Sequence, residues 1–162
     1  SVSEAFATLA CNVDLHPKVL MHRDFQSQNI LIAENSSIGF IDFQGLRRGS
    51  QYYDLASLLF DPYVMMPIDM VESFFKKWAR DFPGNVGYSD EEIWISFFSA
   101  ALQRLMQALG AYCFLSSTKG IESFRQYIEP GKKQLLKVLQ LYREYSPSSK
   151  RDVNEFLCSH LE

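Results

Sequence analysis

The octapeptide HRDFQSQN, residues 22–29, lies between two apolar runs, VLM (19–21) and ILIA (30–33). The flanking runs predict short strands, so His22, Arg23, Asp24 and Asn29 stand in a loop between two rigid segments. Polar groups presented from such ends are held at fixed distances, which chemistry needs and solubility does not. SIGFIDF (37–43), behind the turn-like ENSS, predicts a third strand. Residues 19–43 are therefore expected to form a small sheet, with the polar loop leaving its first strand.

Outward from this loop the pattern is helical. Residues 3–11 read as a helix end with Ala5, Phe6 and Leu9 on one side. YYDLASLLF (52–60) has helical spacing and is stopped by Pro62, and residues 68–82 place Val71, Phe74, Phe75 and Trp78 on one face. Ser89 followed by Glu92 predicts a capping box opening a helix over about 90–116. IESFRQYI and the stretch after Pro130-Gly131 predict two more helices. SPSSKRD reads as a polar linker and VNEFLCSHL as a last amphipathic turn or two, so 146–162 is expected to be a C-terminal linker and short helix of a single domain, 1–162.

Apolar content of 47% and charged content of 22% suit a folded domain with one core. A net charge of −3 with no long Lys/Arg run argues against nucleic-acid binding. Cys11, Cys113 and Cys158 form no CxxC, which predicts small buried thiols in a reduced, cytoplasmic chain. The N-terminus lacks the pattern of a signal peptide, and Gln103, Arg104 and Gln107 interrupt the longest apolar stretch, against a membrane span.

The loop carries a readable chemistry. Asp24, at a strand end, can accept or orient a hydroxyl proton. Asn29 offers a neutral carbonyl oxygen suited to magnesium. Asp42, 18 residues after Asp24, ends the third strand and can supply an anionic ligand to the same ion. Phosphoryl transfer requires this set, because catalysis there is mostly positioning and charge neutralisation.

HRDFQSQN followed by IDFQ resembles the catalytic loop and metal-binding Asp of protein-kinase-like phosphotransferases. The small-molecule branch, with aminoglycoside phosphotransferases and choline kinases, fits best. Gln26 stands where protein kinases usually carry Lys, Gln44 replaces the Gly after Asp42-Phe43, and no APE-type segment follows. HRDFQSQN, IDFQG, YDLASLLFDPY and LQRLMQALGAY are also similar to segments of the bacterial kinases that phosphorylate N-acetylmuramate at its anomeric hydroxyl. The resemblance spans about residues 19–145 and implies an α+β, mostly α fold, the C-terminal lobe of the kinase-like architecture. It implies ATP as co-substrate, Mg2+, and a small hydroxyl compound, most simply a sugar, as acceptor. By it, Asp24 is the catalytic base, Asn29 and Asp42 the magnesium ligands, and His22 and Asp54 supports of the loop. Arg23 is expected to pair with a carboxylate such as Asp54 or Asp42.

Each assignment has a plainer counterpart. His22 also fits as a structural hydrogen-bonder, and Asp54 as a charge favourable to its helix N-terminus. Arg104 either snorkels to water or holds an anionic group of the acceptor, such as a lactyl carboxylate. Asp61 and Tyr63 follow the Asp54 helix, where an acceptor wall is expected. Core packing is the reading for Met65, Met66, Trp78, Trp94, Phe74, Phe75, Phe97 and Phe98. No Gly-rich strand pair and no strand Lys precede His22, so an N-terminal lobe of the same protein is the expected partner, and the lobe alone is expected to turn over very weakly. Its absence would leave apolar side chains exposed near Val19, Leu31 and Ile32. An aminoglycoside or choline/ethanolamine-type kinase and a non-catalytic, pseudokinase-like lobe are the alternatives.

Overall fold

A computed structural model describes residues 2–145 of the chain. The expected linker and terminal helix within 146–162, and Cys158, lie outside the described residues. The order is α1 (Val2–Val13), β1 (Lys18–Met21), β2 (Ile30–Ile32), β3 (Ile38–Phe40), β4 (Arg47–Ser50), α2 (Tyr53–Leu59), α3 (Ile68–Asp81), α4 (Asp90–Cys113) and α5 (Ile128–Tyr145). This is the α+β, mostly helical lobe the sequence implied.

The single three-stranded sheet expected of residues 19–43 is instead two antiparallel ribbons. In one, β2 pairs with β3, Leu31 opposite Gly39. In the other, β1 pairs with β4, Leu20 opposite Arg48. The sequence reading missed β4 because RRGS has no β-branched or aromatic residue. Its strand conformation comes from backbone pairing with β1, not from side-chain preference.

Helix α4 is the axis of the core. Its Ile93, Trp94, Phe97, Phe98, Ala101, Leu102 and Leu105 are buried among Ala56, Leu59 and Phe60, Val71 and Phe75 of α3, and Leu135, Val138, Leu139 and Tyr142 of α5. Phe75 and Phe97 stack at 3.8 Å and Trp94 and Phe98 at 5.3 Å. Each such side chain contributes roughly 1.5–3 kcal/mol by burial. The predicted capping box is complete: Ser89 Oγ accepts from Glu92 N–H, and the Glu92 carboxylate accepts from Ser89 N–H.

Several local expectations are corrected. Phe74 sits one residue off the buried stripe of α3 and is exposed, while Trp78 is half-buried. Met66 packs against the core, but Met65 is exposed in a left-handed conformation, φ 55°. Cys11 and Cys113 are exposed, not buried. The segment at Glu122–Tyr127 is a 3-10 helix that runs straight into α5, which starts two residues before Pro130. Proline is tolerated there because a first-turn N–H has no helical partner. Gly131 lets α5 approach α4: a Cβ at this position would lie 2.8 Å from a Leu109 methyl.

His16 fastens the α1–β1 connection to this core. Its ring packs 3.9 Å from Tyr88 and edge-on, 4.9 Å, to Tyr52, and neither ring nitrogen has a hydrogen-bond partner among the described residues. Burial holds its pKa below the ordinary histidine value, partly opposed by the charge of Glu92. The folded state therefore keeps His16 neutral where the unfolded chain takes up a proton. Its contribution to stability is intact above about pH 6.5 and is lost as pH falls below that value. His16→Phe keeps the ring packing without the titration. Melting temperature from pH 7.5 to 5 should fall less steeply in this variant than in the wild type; parallel curves would remove His16 from the account.

Candidate active site

The loop of residues 22–29 is fixed by Asp54 of α2 and Asp61 in the turn after it. Asp54 accepts the backbone N–H of His22 at 2.5 Å and of Arg23 at 2.9 Å. Those bonds stabilise Arg23 in the left-handed region, φ 76°, which non-glycine residues rarely adopt. Seven residues on, Asp61 accepts from Ser27 N–H and from Tyr63 N–H, both at 2.8 Å. Asp54 near the start of α2 and Asp61 just past its end thus hold the two ends of the loop.

Asp61 is 1% exposed and spends both oxygens on backbone N–H groups. This corrects its expected place in an acceptor wall: it clamps the loop from inside. Tyr63 lies edge-on to Tyr127 at 4.4 Å and near Tyr112, and burial pushes its hydroxyl pKa upward. Arg23 does not pair its guanidinium with Asp54 or Asp42; Nη1 reaches the carbonyl of Gly45 at 3.4 Å.

Asp24, Asn29 and the end of β3 are drawn together by direct bonds. Asn29 Nδ2 donates to the Asp24 carbonyl at 2.8 Å, which orients the amide and turns its oxygen to the other side. The backbone of Ile41 is held twice, its N–H on the Asn29 carbonyl at 3.1 Å and its carbonyl 2.8 Å from His22 Nε2. His22 thus carries loop geometry to the residue preceding Asp42. Asp42 adopts φ 64°, again left-handed, with its carboxylate exposed and accepting from Gln44 Nε2.

Asn29 and Asp42, the residues that the resemblance implies for magnesium, offer an amide oxygen and a carboxylate, the hard oxygen chemistry this ion prefers. Among the described residues no three His, Cys, Asp or Glu side chains gather to hold a metal.

Arg104, from the middle of α4, reaches this group. Its Nη2 donates to Asp24 Oδ1 at 2.7 Å and its Nε to Ser57 Oγ at 3.0 Å. The sequence reading singled out Arg104 but not Ser57 or Ile41. Ser57 had a signal, its position three residues after Asp54. Gln26, noted in the sequence as standing where protein kinases usually carry Lys, places its Nε2 3.4 Å from Asp24 Oδ2.

Comparison with known proteins bears on the fold and the family. No curated protein matches the sequence. Among solved structures, an ethanolamine kinase of Plasmodium vivax superposes with a TM-score of 0.60 at 19% identity, covering 89% of this chain and 39% of that one. The likeness is one of fold, and the chain spans about two fifths of that kinase's length. The model of the phosphotransferase enzyme family matches residues 2–83, half of the chain and all of the loop, strands and helix just described. The chain belongs to the phosphotransferase enzyme family.

Proposed function

We propose that this lobe serves an ATP- and magnesium-dependent transfer of the γ-phosphoryl group to a hydroxyl of a small molecule, an amino sugar such as N-acetylmuramate at its anomeric position. The observation that carries the reading is the bonded convergence of Asp24, Asn29 and the end of β3. Asp24 orients the acceptor hydroxyl and takes its proton as the oxygen attacks the γ-phosphorus. Asn29 and Asp42 are the residues that would hold magnesium, which when bound neutralises charge on the nucleotide phosphates. His22, Asp54 and Asp61 hold the loop still, so that Asp24 meets the hydroxyl without reorganisation. The sugar assignment rests on the similarity of the four segments quoted above.

A nucleotide-binding lobe completes the enzyme in this proposal. Leu20, Leu31, Ile32, Ile38, Phe40 and Phe43 are all exposed on and beside the two ribbons; Ile32, Ile38 and Phe40 share one face of the β2–β3 ribbon, apolar surface that a partner lobe would cover. No helix among the described residues is long and apolar enough to cross a membrane.

The experiment is γ-phosphoryl transfer from labelled ATP by the full-length protein to a panel of N-acetylmuramate, N-acetylglucosamine, an aminoglycoside, choline and ethanolamine. A phosphorylated amino sugar is expected. Transfer to an amine-bearing acceptor alone would overturn the sugar assignment, and transfer to none would overturn the enzymatic reading.

A further inference from the structure

The Arg104 guanidinium is built into the site. Its side chain is 13% exposed against 42% for Asp24. Ser57, itself buried on α2, holds Nε, and one Nη2–H lies on the Asp24 carboxylate. Two of the five N–H donors are thereby engaged, and the inner edge of the plane is clamped. The outer edge, Nη1 and Nη2, has the spacing that receives a carboxylate end-on.

We infer that Arg104 determines acceptor specificity: it selects hydroxyl compounds carrying an anionic group such as a carboxylate, which takes the guanidinium over from Asp24 when the acceptor binds. The inference rests on the phosphotransferase reading and deepens it. Charge decides the sign. The Asp24 carboxylate, which would otherwise attract a cation, is already matched by Arg104 at 2.7 Å. Asp54 and Asp61, the carboxylates on this side of α2 and the turn after it, are committed to backbone N–H groups, Asp61 while buried. An ammonium-bearing acceptor would meet a guanidinium in place of an anionic wall. An anionic acceptor gains a planar, charge-assisted pair, and Asp24 is freed to face the hydroxyl. Ser57 keeps the guanidinium aimed throughout the exchange.

The test is calorimetric titration of the full-length protein, without nucleotide, with two probes that differ by one lactyl carboxylate: N-acetylmuramate and N-acetylglucosamine. Wild type should bind the carboxylate sugar about 10- to 100-fold more tightly, the range of a charge-assisted hydrogen-bonded pair. Arg104→Gln should bring the ratio near one, Arg104→Lys should restore part of it, and Ser57→Ala should lower it. Equal affinities in wild type, binding of neither probe, or a ratio that survives Arg104→Gln would each overturn the inference. Phosphate transfer is read separately. Arg104-dependent binding with no transfer from magnesium-ATP would retire the phosphotransferase reading, and with it the ligand's role as acceptor, while leaving Arg104 as the residue that selects carboxylate-bearing ligands.

Discussion

Asp24→Asn in the full-length enzyme is expected to lower kcat by about 10²- to 10⁴-fold, the usual weight of a positioned general base. The substitution keeps the shape of the side chain and removes its proton affinity. The loop leans only lightly on the carboxylate: Asn29 Nδ2 holds the Asp24 backbone carbonyl at 2.8 Å, and Asn29 and Gln26 approach the carboxylate only at 3.4 Å. The lost partner is Arg104, and with Asp24 42% exposed the pair contributes about 1 kcal/mol or less to stability. The KM for ATP should move little, since Asp24 is not among the proposed magnesium ligands. Steady-state kinetics with a thermal melt beside them separate the two effects. A kcat within tenfold of wild type, at normal stability, would remove Asp24 as the acceptor's base.

Asp54→Ala is expected to damage both folding and turnover. Two backbone N–H groups, of His22 and Arg23, lose their acceptor together. Each unsatisfied group of this kind costs roughly 1–3 kcal/mol. The left-handed backbone at Arg23 then has nothing to hold it, and such residues relax where the surroundings allow. Relaxation there moves Asp24, the next residue, and a displacement of about 1 Å costs on the order of 10²-fold in rate. Asp54→Asn should be the milder variant, keeping one acceptor oxygen while turning an NH2 group toward a donor. Denaturant unfolding and kcat should therefore fall in the order wild type, Asn, Ala. An alanine variant with wild-type stability would show that the loop holds itself.

Much of this was legible in the sequence for physical reasons. The period of α3 follows from burial of one stripe, α4 is read from its apolar run although it is buried all round over 96–102, and the capping box of Ser89 and Glu92 is a local pattern that needs no tertiary information. The loop of residues 22–29 declared itself through polar residues between apolar runs. What could not be read were features made by the rest of the chain. Strand β4 exists because β1 lies beside it. Asp61 looked available because sequence reports neither its burial nor the two N–H groups that claim it. The link from His22 to the carbonyl of Ile41 joins residues 19 positions apart through a backbone atom, which no side-chain pattern records. The pairing of Arg104 with Asp24 spans 80 positions and required the α4 crossing to be known.

The central claim is that Asp24, Asn29 and Asp42 act on one magnesium-bound phosphoryl group, and the labelled-ATP transfer assay tests it most directly when magnesium is varied. Wild-type enzyme should phosphorylate the amino sugar in a magnesium-dependent manner, and Asp42→Asn should require at least about tenfold more magnesium for half-maximal rate and reach a far lower maximum. Transfer that proceeds with Asp42→Asn at the wild-type rate and the same magnesium requirement would contradict the account.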